Sequence, residues 1–215
     1  MGERFLVWGG GGHGRVVADV LRACGDEVVG FIDRNPTMAV SSVTPLPVLA
    51  ETDVIDSPSL PLGATAVALG IGDNAARLAA LQQLQVRGIP CPPRVHATAV
   101  IGSGVVIESG TVVMAGAVVN ACAQLGQAVI VNSGAIVEHD CWVGDGAHLS
   151  PGSVLCGAVR VGRQSWVGAA ATVIPGIVIG EQVIVGAGSV VIGNFGGPGT
   201  LVGNPARVLK TEAST

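Results

Sequence analysis

Tyrosine is absent from this chain of 215 residues, and Phe and Trp contribute only three each. At 3% aromatics no core can be built around large rings, so Val, Ile, Leu and Ala must fill it. Charge is scarce as well: 12% of residues, with a net charge of -4. Such a chain lacks the basic face that nucleic acid demands, and no nucleic-acid partner is expected. Apolar runs of membrane length are missing, because polar residues or Gly interrupt each candidate, and no membrane partner is expected. The N-terminus has no basic segment followed by an apolar one, so no signal peptide is expected. The five Cys are an odd count without CxxC spacing. They suit free thiols in a cytoplasmic protein better than a disulfide framework. Cys141 and Cys156 read as small apolar fillers. His is rare too, with four in the chain.

What is plentiful is Gly, at 33 residues, and repetition. Stepping by six from Val95 to Val191 meets seventeen residues, and all are Val, Ile or Leu. Two positions before these aliphatics stand small residues such as Ala99, Ala117, Ala135, Cys141, Ala147, Ser153, Ser165, Ala171 and Ser189. A period of six suits neither a helix nor one long strand. It suits short strands joined by tight turns, three of them closing a triangular coil, with alternate side chains facing inward. This pattern predicts a left-handed parallel β-helix of nearly six coils, an exception to the right-handed crossover rule.

The residue just before each aliphatic is then expected to point outward. Of the sixteen from Val100 to Val190, twelve are apolar. One face carries Val100, Val118, Ile136, Val154 and Val190. A monomer rarely leaves that much apolar surface wet, which implies a homo-oligomer, and a homotrimer suits a triangular prism. Cover by the N-terminal domain is the alternative for part of this surface.

The first third reads as strand, Gly-rich turn, helix, strand. Phe5–Trp8 is an apolar run, Val16, Val17, Val20 and Leu21 form a helical stripe, and Val28–Ile32 is a second strand ending at Asp33. Gly9, Gly11 and Gly14 satisfy GxGxxG in the right context. A further strand and a helix from about Asp73 to Arg87 complete one mononucleotide-binding half. That is too short for a dinucleotide fold, so a nucleotide diphosphate joined to another group fits better. A glycine turn that only packs a helix on a sheet is the structural alternative. The chain is thus α/β followed by β: a small Rossmann-like βαβ domain at 1–92, then a left-handed parallel β-helix with a short tail at 93–215. In the first domain Gly11, Gly12, His13, Asp33, Arg34 and Asn74 are candidate substrate contacts.

Within the β-helix, coil length gives His139 a neighbour. Eighteen residues on is Gly157, one strand spacing above it. A glycine there leaves room for substrate and a free N–H that could polarise a carbonyl. His148 lies half a coil from His139, so the two can share a site only across a subunit boundary. An acidic residue beside His139 would orient the ring and stabilise its cation. Asp140 can do so only if the chain turns at 139–140, and Glu138 is the competing partner.

The hexads resemble those of the hexapeptide-repeat acyltransferase superfamily. With "GGGGHG", "GFIDRNP" and "GIGDN", nearly the whole chain resembles the sialic-acid-O-acetyltransferase-like sugar acyltransferases, and within them the nucleotide-sugar N-acetyltransferases. The resemblance implies acetyl-CoA as donor and a nucleotide-linked 4-amino sugar as acceptor, with GDP-perosamine favoured and a UDP-amino sugar next. It also implies a trimer with sites between β-helices. By the same resemblance His139 is the base, Asp140 its orienter and Gly157 N–H the carbonyl donor. Asn132 and His148 line the pocket, His13 lies near the sugar, and Ala169 and Ala187 lie along CoA. Arg207 and Lys210 are candidates for its phosphates. No metal is expected. A sugar O-acetyltransferase is the near alternative, and a zinc lyase or a non-enzymatic β-helix scaffold the distant ones.

Overall fold

The computed structural model describes residues 2–35 and 46–209. The N-terminal unit is a parallel sheet with helices. Its elements are β1 (Arg4–Trp8), α1 (Gly12–Ala23), β2 (Glu27–Asp33), β3 (Val48–Ala50), α2 (Glu51–Ile55), β4 (Ala66–Leu69) and α3 (Asn74–Val86). The strand order is β3-β2-β1-β4. β1 and β4 are buried nearly end to end, as parallel strands covered on both faces must be. Asp73 caps α3, its Oδ1 accepting from Ala76 N–H at 2.8 Å. Two glycines let α1 approach the sheet. A Cβ on Gly14 would lie 1.8 Å from Gly9 O, and one on Gly9, at φ +119°, 2.5 Å from Gly70 O.

From Arg94 the chain winds into a left-handed parallel β-helix. Each hexad aliphatic from Val95 to Val191 closes a short strand, and each interior strand up to Thr172–Val173 pairs with those eighteen residues before and after it. The aliphatics interlock with the small residues: Val113, Ala117, Val119, Ala135, Val137, Ala147 and Leu149 are all wholly buried in one core. Small beside large is what lets three sheets meet in a narrow prism.

From Cys122 to Gly188 the corners of the prism turn in the same way. The second corner residue takes a positive φ, whether Gly (Gly134, Gly146, Gly152) or not (Cys122, Ala128, Asp140, Ala158). Its N–H donates to the first corner residue of the coil before, as Ala158 N–H does to His139 O at 2.9 Å.

The three faces differ in what covers them. The N-terminal unit docks on the face bearing Val112, Ile130 and His148. Val112, Met114 and Ile130 join one core with Phe5, Val17, Leu21 and Phe31. On this face the outward residues meet the N-terminal unit, the alternative to a subunit contact: Val112 is 3% exposed and Ile130 1%, because α1 and β1 cover them. Polar contacts edge the seam. Arg94 donates to Asp26 at 2.7 Å and pairs with Glu3, while lying 4.5 Å over the Phe5 ring. Among the described residues the face with Val100, Val118, Ile136, Val154, Thr172 and Val190 has no such cover. The third face exposes Val106, Trp142 and Val178.

Candidate functional site

Three groups of candidate residues emerge, at different places. The first is the cleft where the parallel strands of the N-terminal sheet end. It has a volume of ≈ 250 Å³ and is lined by Trp8, Gly9, Ile32, Asp33, Arg34, Glu51, Ile71 and the α3 residues Ala76, Ala79, Ala80 and Gln83. A crevice at the carboxyl ends of parallel strands is where α/β sheets take nucleotides. Asp33 organises its rim. It accepts from Gly10 N–H at 2.8 Å and from Asn35 N–H at 3.0 Å, which ties the glycine loop to β2. Gly11 caps α1 without a side-chain bond, and a Cβ there would meet nothing within 4 Å, so the loop is open on that side. Gly12 is exposed beside it. Arg34 donates to Glu51, whose Oε1 also accepts from Trp8 Nε1 at 3.0 Å. Asn74 stands apart from these. Its Nδ2 donates to Gln164 O and Ser165 O, and its Oδ1 accepts from Arg77 Nη2, so its amide ties the domain to the β-helix.

The second group lies on the seam between the two units. His148 is 8% exposed and stacks on Trp166, with ring centroids 5.4 Å apart and planes 6° from parallel. Asn132 Nδ2 lies 3.1 Å from His148 Nε2. The amide must donate, so Nε2 accepts and the proton of the neutral ring sits on Nδ1. His13, in the first turn of α1, brings its ring centroid to 6.3 Å from that of His148. Among the described residues neither His13 Nε2 nor His148 Nδ1 has a hydrogen-bond partner, although both atoms are buried. Burial first, then the Arg77 charge, lowers His13 to about 4; the same two causes and the neighbouring His13 lower His148 to about 3. Both rings are neutral at physiological pH, and each keeps a buried ring nitrogen unpaired among the described residues.

Sequence reasoning passed over Arg77 and Trp166. Arg77 is wholly buried on α3, in line with Leu78, Leu81 and Leu84. The signal was an Arg on the apolar stripe of "NAARLAALQQL".

The third group sits on the corner between the uncovered apolar face and the third face. His139 and Asp140 are its two turn residues. Adjacent residues on a strand would point apart, but Asp140 has φ +59°, a conformation that Asp tolerates. The turn brings its Oδ2 to 2.8 Å from His139 Nδ1. The carboxylate fixes the tautomer with Nδ1 protonated and leaves Nε2 as the acceptor. Glu138, the competing partner, makes no hydrogen bond to the ring among the described residues. Nε2 faces the next coil, where a Cβ on Gly157 would lie 2.6 Å from it. Gly157 O accepts from Gly176 N–H at 2.9 Å, while among the described residues the Gly157 N–H has no acceptor. Ala169 and Ala187 hold the equivalent first-turn position at the corner on the other side of the apolar face, stacked eighteen residues apart. Both side chains of the His139–Asp140 pair are more than 60% exposed, and within one chain His139 does not reach His148. Arg207 is exposed and donates to Ala206 O; Lys210 lies outside the described residues.

Among the described residues no group of three His, Cys, Asp or Glu side chains could hold a metal ion, and no helix is long and apolar enough to cross a membrane.

Comparison with known proteins identifies the family and the fold. Residues 4–84 match the PglD N-terminal domain family. A comparison with curated protein sequences finds no match. Among solved structures, PerB from Caulobacter crescentus, in complex with CoA and GDP-perosamine, is 35% identical, with 98% of each chain covered and a TM-score of 0.89. The acetyltransferase domain of PglB from Neisseria gonorrhoeae, in complex with acetyl coenzyme A, is 32% identical over 97% of this chain and 100% of that one, with a TM-score of 0.87. WeeI from Acinetobacter baumannii, 24% identical over 96% of this chain and all of that one, shares the fold at a TM-score of 0.82. The parallel-sheet cleft, the hexad prism and identities of 35% to PerB and 32% to the PglB acetyltransferase domain over nearly the whole length place the chain in the hexapeptide-repeat sugar acyltransferase family, among the CoA-dependent nucleotide-sugar N-acetyltransferases.

Proposed function

We propose that the chain moves an acetyl group from acetyl-CoA to the 4-amino group of a nucleotide-linked sugar, GDP-perosamine first and a UDP-amino sugar next. The observation that carries this reading is the His139–Asp140 pair, 2.8 Å apart, aimed at the bare corner of Gly157. The complexes of the C. crescentus relative with CoA and GDP-perosamine support the choice of substrates.

The chemistry follows from the groups present. His139 Nε2 accepts a proton from the attacking amine as its nitrogen bonds to the thioester carbonyl carbon. Gly157 N–H donates to the carbonyl oxygen as it gains negative charge. Asp140 balances the imidazolium. The C–S bond then breaks, and the proton on His139 passes to the CoA sulfur. Sugar amide and CoA thiol are the products.

A homotrimer completes the site. The His139–Gly157 corner and the Ala169–Ala187 corner flank the uncovered apolar face. A threefold ring closed on that face sets the first corner of one subunit against the second corner of its neighbour. CoA then lies in the groove between prisms, past Ala169 and Ala187. His139 faces the neighbour's seam, where His148, Asn132 and His13 meet the sugar, while Gly11, Gly12, Asp33 and Arg34 hold the nucleotide. Nucleotide sugars and CoA are metabolites of the cytoplasm, which is the compartment this reading assigns.

The test is a CoA thiol-release assay with GDP-perosamine, a UDP-4-amino sugar and the matching 4-hydroxy sugars. Release with an amino sugar supports the reading. Release with hydroxyl sugars alone makes the protein an O-acetyltransferase, and no release with any of them removes the enzymatic assignment.

A further inference from the structure

We propose that Arg77 is a positioning residue for the acceptor end of the site: it bolts the nucleotide-binding domain to the β-helix in the register that sets His13 against His148, and it places a fixed positive charge behind those two rings.

The bolt is visible in the hydrogen bonds. Nε donates to Ala128 O at 2.8 Å, and Nη1 to Ile71 O and Gly72 O at 3.0 Å. Nη2 donates to Asn74 Oδ1 and Gly146 O at 2.8 Å and to Ala147 O at 3.3 Å. Ile71, Gly72 and Asn74 belong to the nucleotide-binding unit; Ala128, Gly146 and Ala147 belong to two neighbouring coils. Ala147 is the residue before His148. Only a planar fork with five donors can span acceptors arranged in this way, and Lys cannot.

The charge is held by carbonyl dipoles. No ion pair among the described residues includes Arg77. Asp73 is the acidic group felt there, and its Oδ1 is engaged with Ala76 N–H. Such a buried cation is tolerated because its donors are satisfied, and its field is poorly screened. The groups facing His13 are His148 and Arg77; those facing His148 are His13, Arg77, Asn132 and Trp166. No carboxylate among the described residues opposes the cation at either ring. The consequence for acetyl transfer, which rests on the proposed function, is that a sugar ammonium arriving here meets a fixed cation and neutral imidazoles. Its proton is destabilised, and the nucleophilic amine is favoured.

Only four histidines contribute resonances, so their ring protons can be followed by NMR from pH 3 to 8 in the wild type, Arg77→Lys and Arg77→Gln. In the wild type, the His13 and His148 rings should still be neutral at pH 5.5. Arg77→Lys keeps the charge but not the fork, so both midpoints should rise by less than they do in Arg77→Gln. Arg77→Gln keeps two amide donors without the charge and should raise both midpoints by about one pH unit. Equal midpoints in the Lys and Gln variants would overturn the electrostatic role. So would wild-type rings that titrate with ordinary histidine midpoints, a result that stands even if the Gln variant does not fold. These readouts need no substrate, so an error in the acetyltransferase reading would show only in the thiol-release assay.

Discussion

His139 and Gly157 stand one coil apart, and the imidazole of the first occupies the space that a side chain on the second would need. An added Cβ would lie 2.6 Å from Nε2 and 2.7 Å from Cε1. Position 157 has to be glycine for a reason that lies in the neighbouring coil.

Gly157→Ala should therefore spare the fold and harm turnover. The ring it displaces is exposed, so it can swing aside at little cost in stability. It then leaves both Asp140 and the Gly157 N–H. The expected result is a fall in kcat of about 100-fold with a melting temperature shifted by no more than about 2 °C. Steady-state kinetics and calorimetry on the same preparation read both.

Asp140→Asn keeps the shape and tolerates the positive φ of the turn. It replaces an anion that orients the ring with an amide that does not balance imidazolium charge. We expect kcat to fall by about 100-fold or more, with KM for both substrates within about threefold of wild type. An equal rise in KM would point to a binding role instead.

Asp33→Asn tests the glycine loop. The carboxylate accepts two backbone N–H groups, and an amide can present only one oxygen. Loosening of the loop should raise KM for the nucleotide sugar about tenfold and leave KM for acetyl-CoA unchanged. Titration with the nucleoside diphosphate alone should show the same loss of affinity.

His13 and His148 make stability depend on pH. Their folded values, about 4 and about 3, lie below the ordinary 6.5. Between those limits the unfolded chain binds more protons than the folded one. Stability is therefore complete above about pH 6.5 and declines as pH falls toward 4, by up to about 1.4 kcal/mol per pH unit for each ring. Urea unfolding at pH 7, 6 and 5 measures the decline. Replacing both rings with Asn should flatten it.

The uncovered apolar face offers a test of assembly. Ile136→Glu places a charge where the threefold contact is proposed. Sedimentation should show trimers replaced by monomers, with thiol release lost in parallel. A variant that sediments as a monomer yet keeps full turnover would show that one chain holds the whole site.

Much of this was legible in the sequence, because a hexad leaves its mark on every coil. Val95 to Val191 fixed the strands, the inward positions and the coil height, and coil height alone put Gly157 over His139. The glycine pattern and the stripe Val16, Val17, Val20 and Leu21 placed β1, α1 and β2, although Val16 is 42% exposed and only the other three are buried. What periodicity could not show was which face the first domain covers. Val112 and Ile130 look like Val100 in the sequence, and only docking buries them. The seam was hidden for the same reason. His13 and His148 are 135 positions apart in the chain, and Asn74 and Arg77 carry no local sign that their partners are Gln164, Ala128 and Gly146. An arginine on an apolar helical stripe was the one clue, and it does not say what the guanidinium will meet.

The most direct measurement is thiol release from acetyl-CoA with GDP-perosamine, compared between the wild type and His139→Asn. The account predicts steady turnover by the wild type and a loss of about 1,000-fold in kcat for the variant, with assembly and melting temperature preserved. Turnover by His139→Asn at the wild-type rate would contradict it.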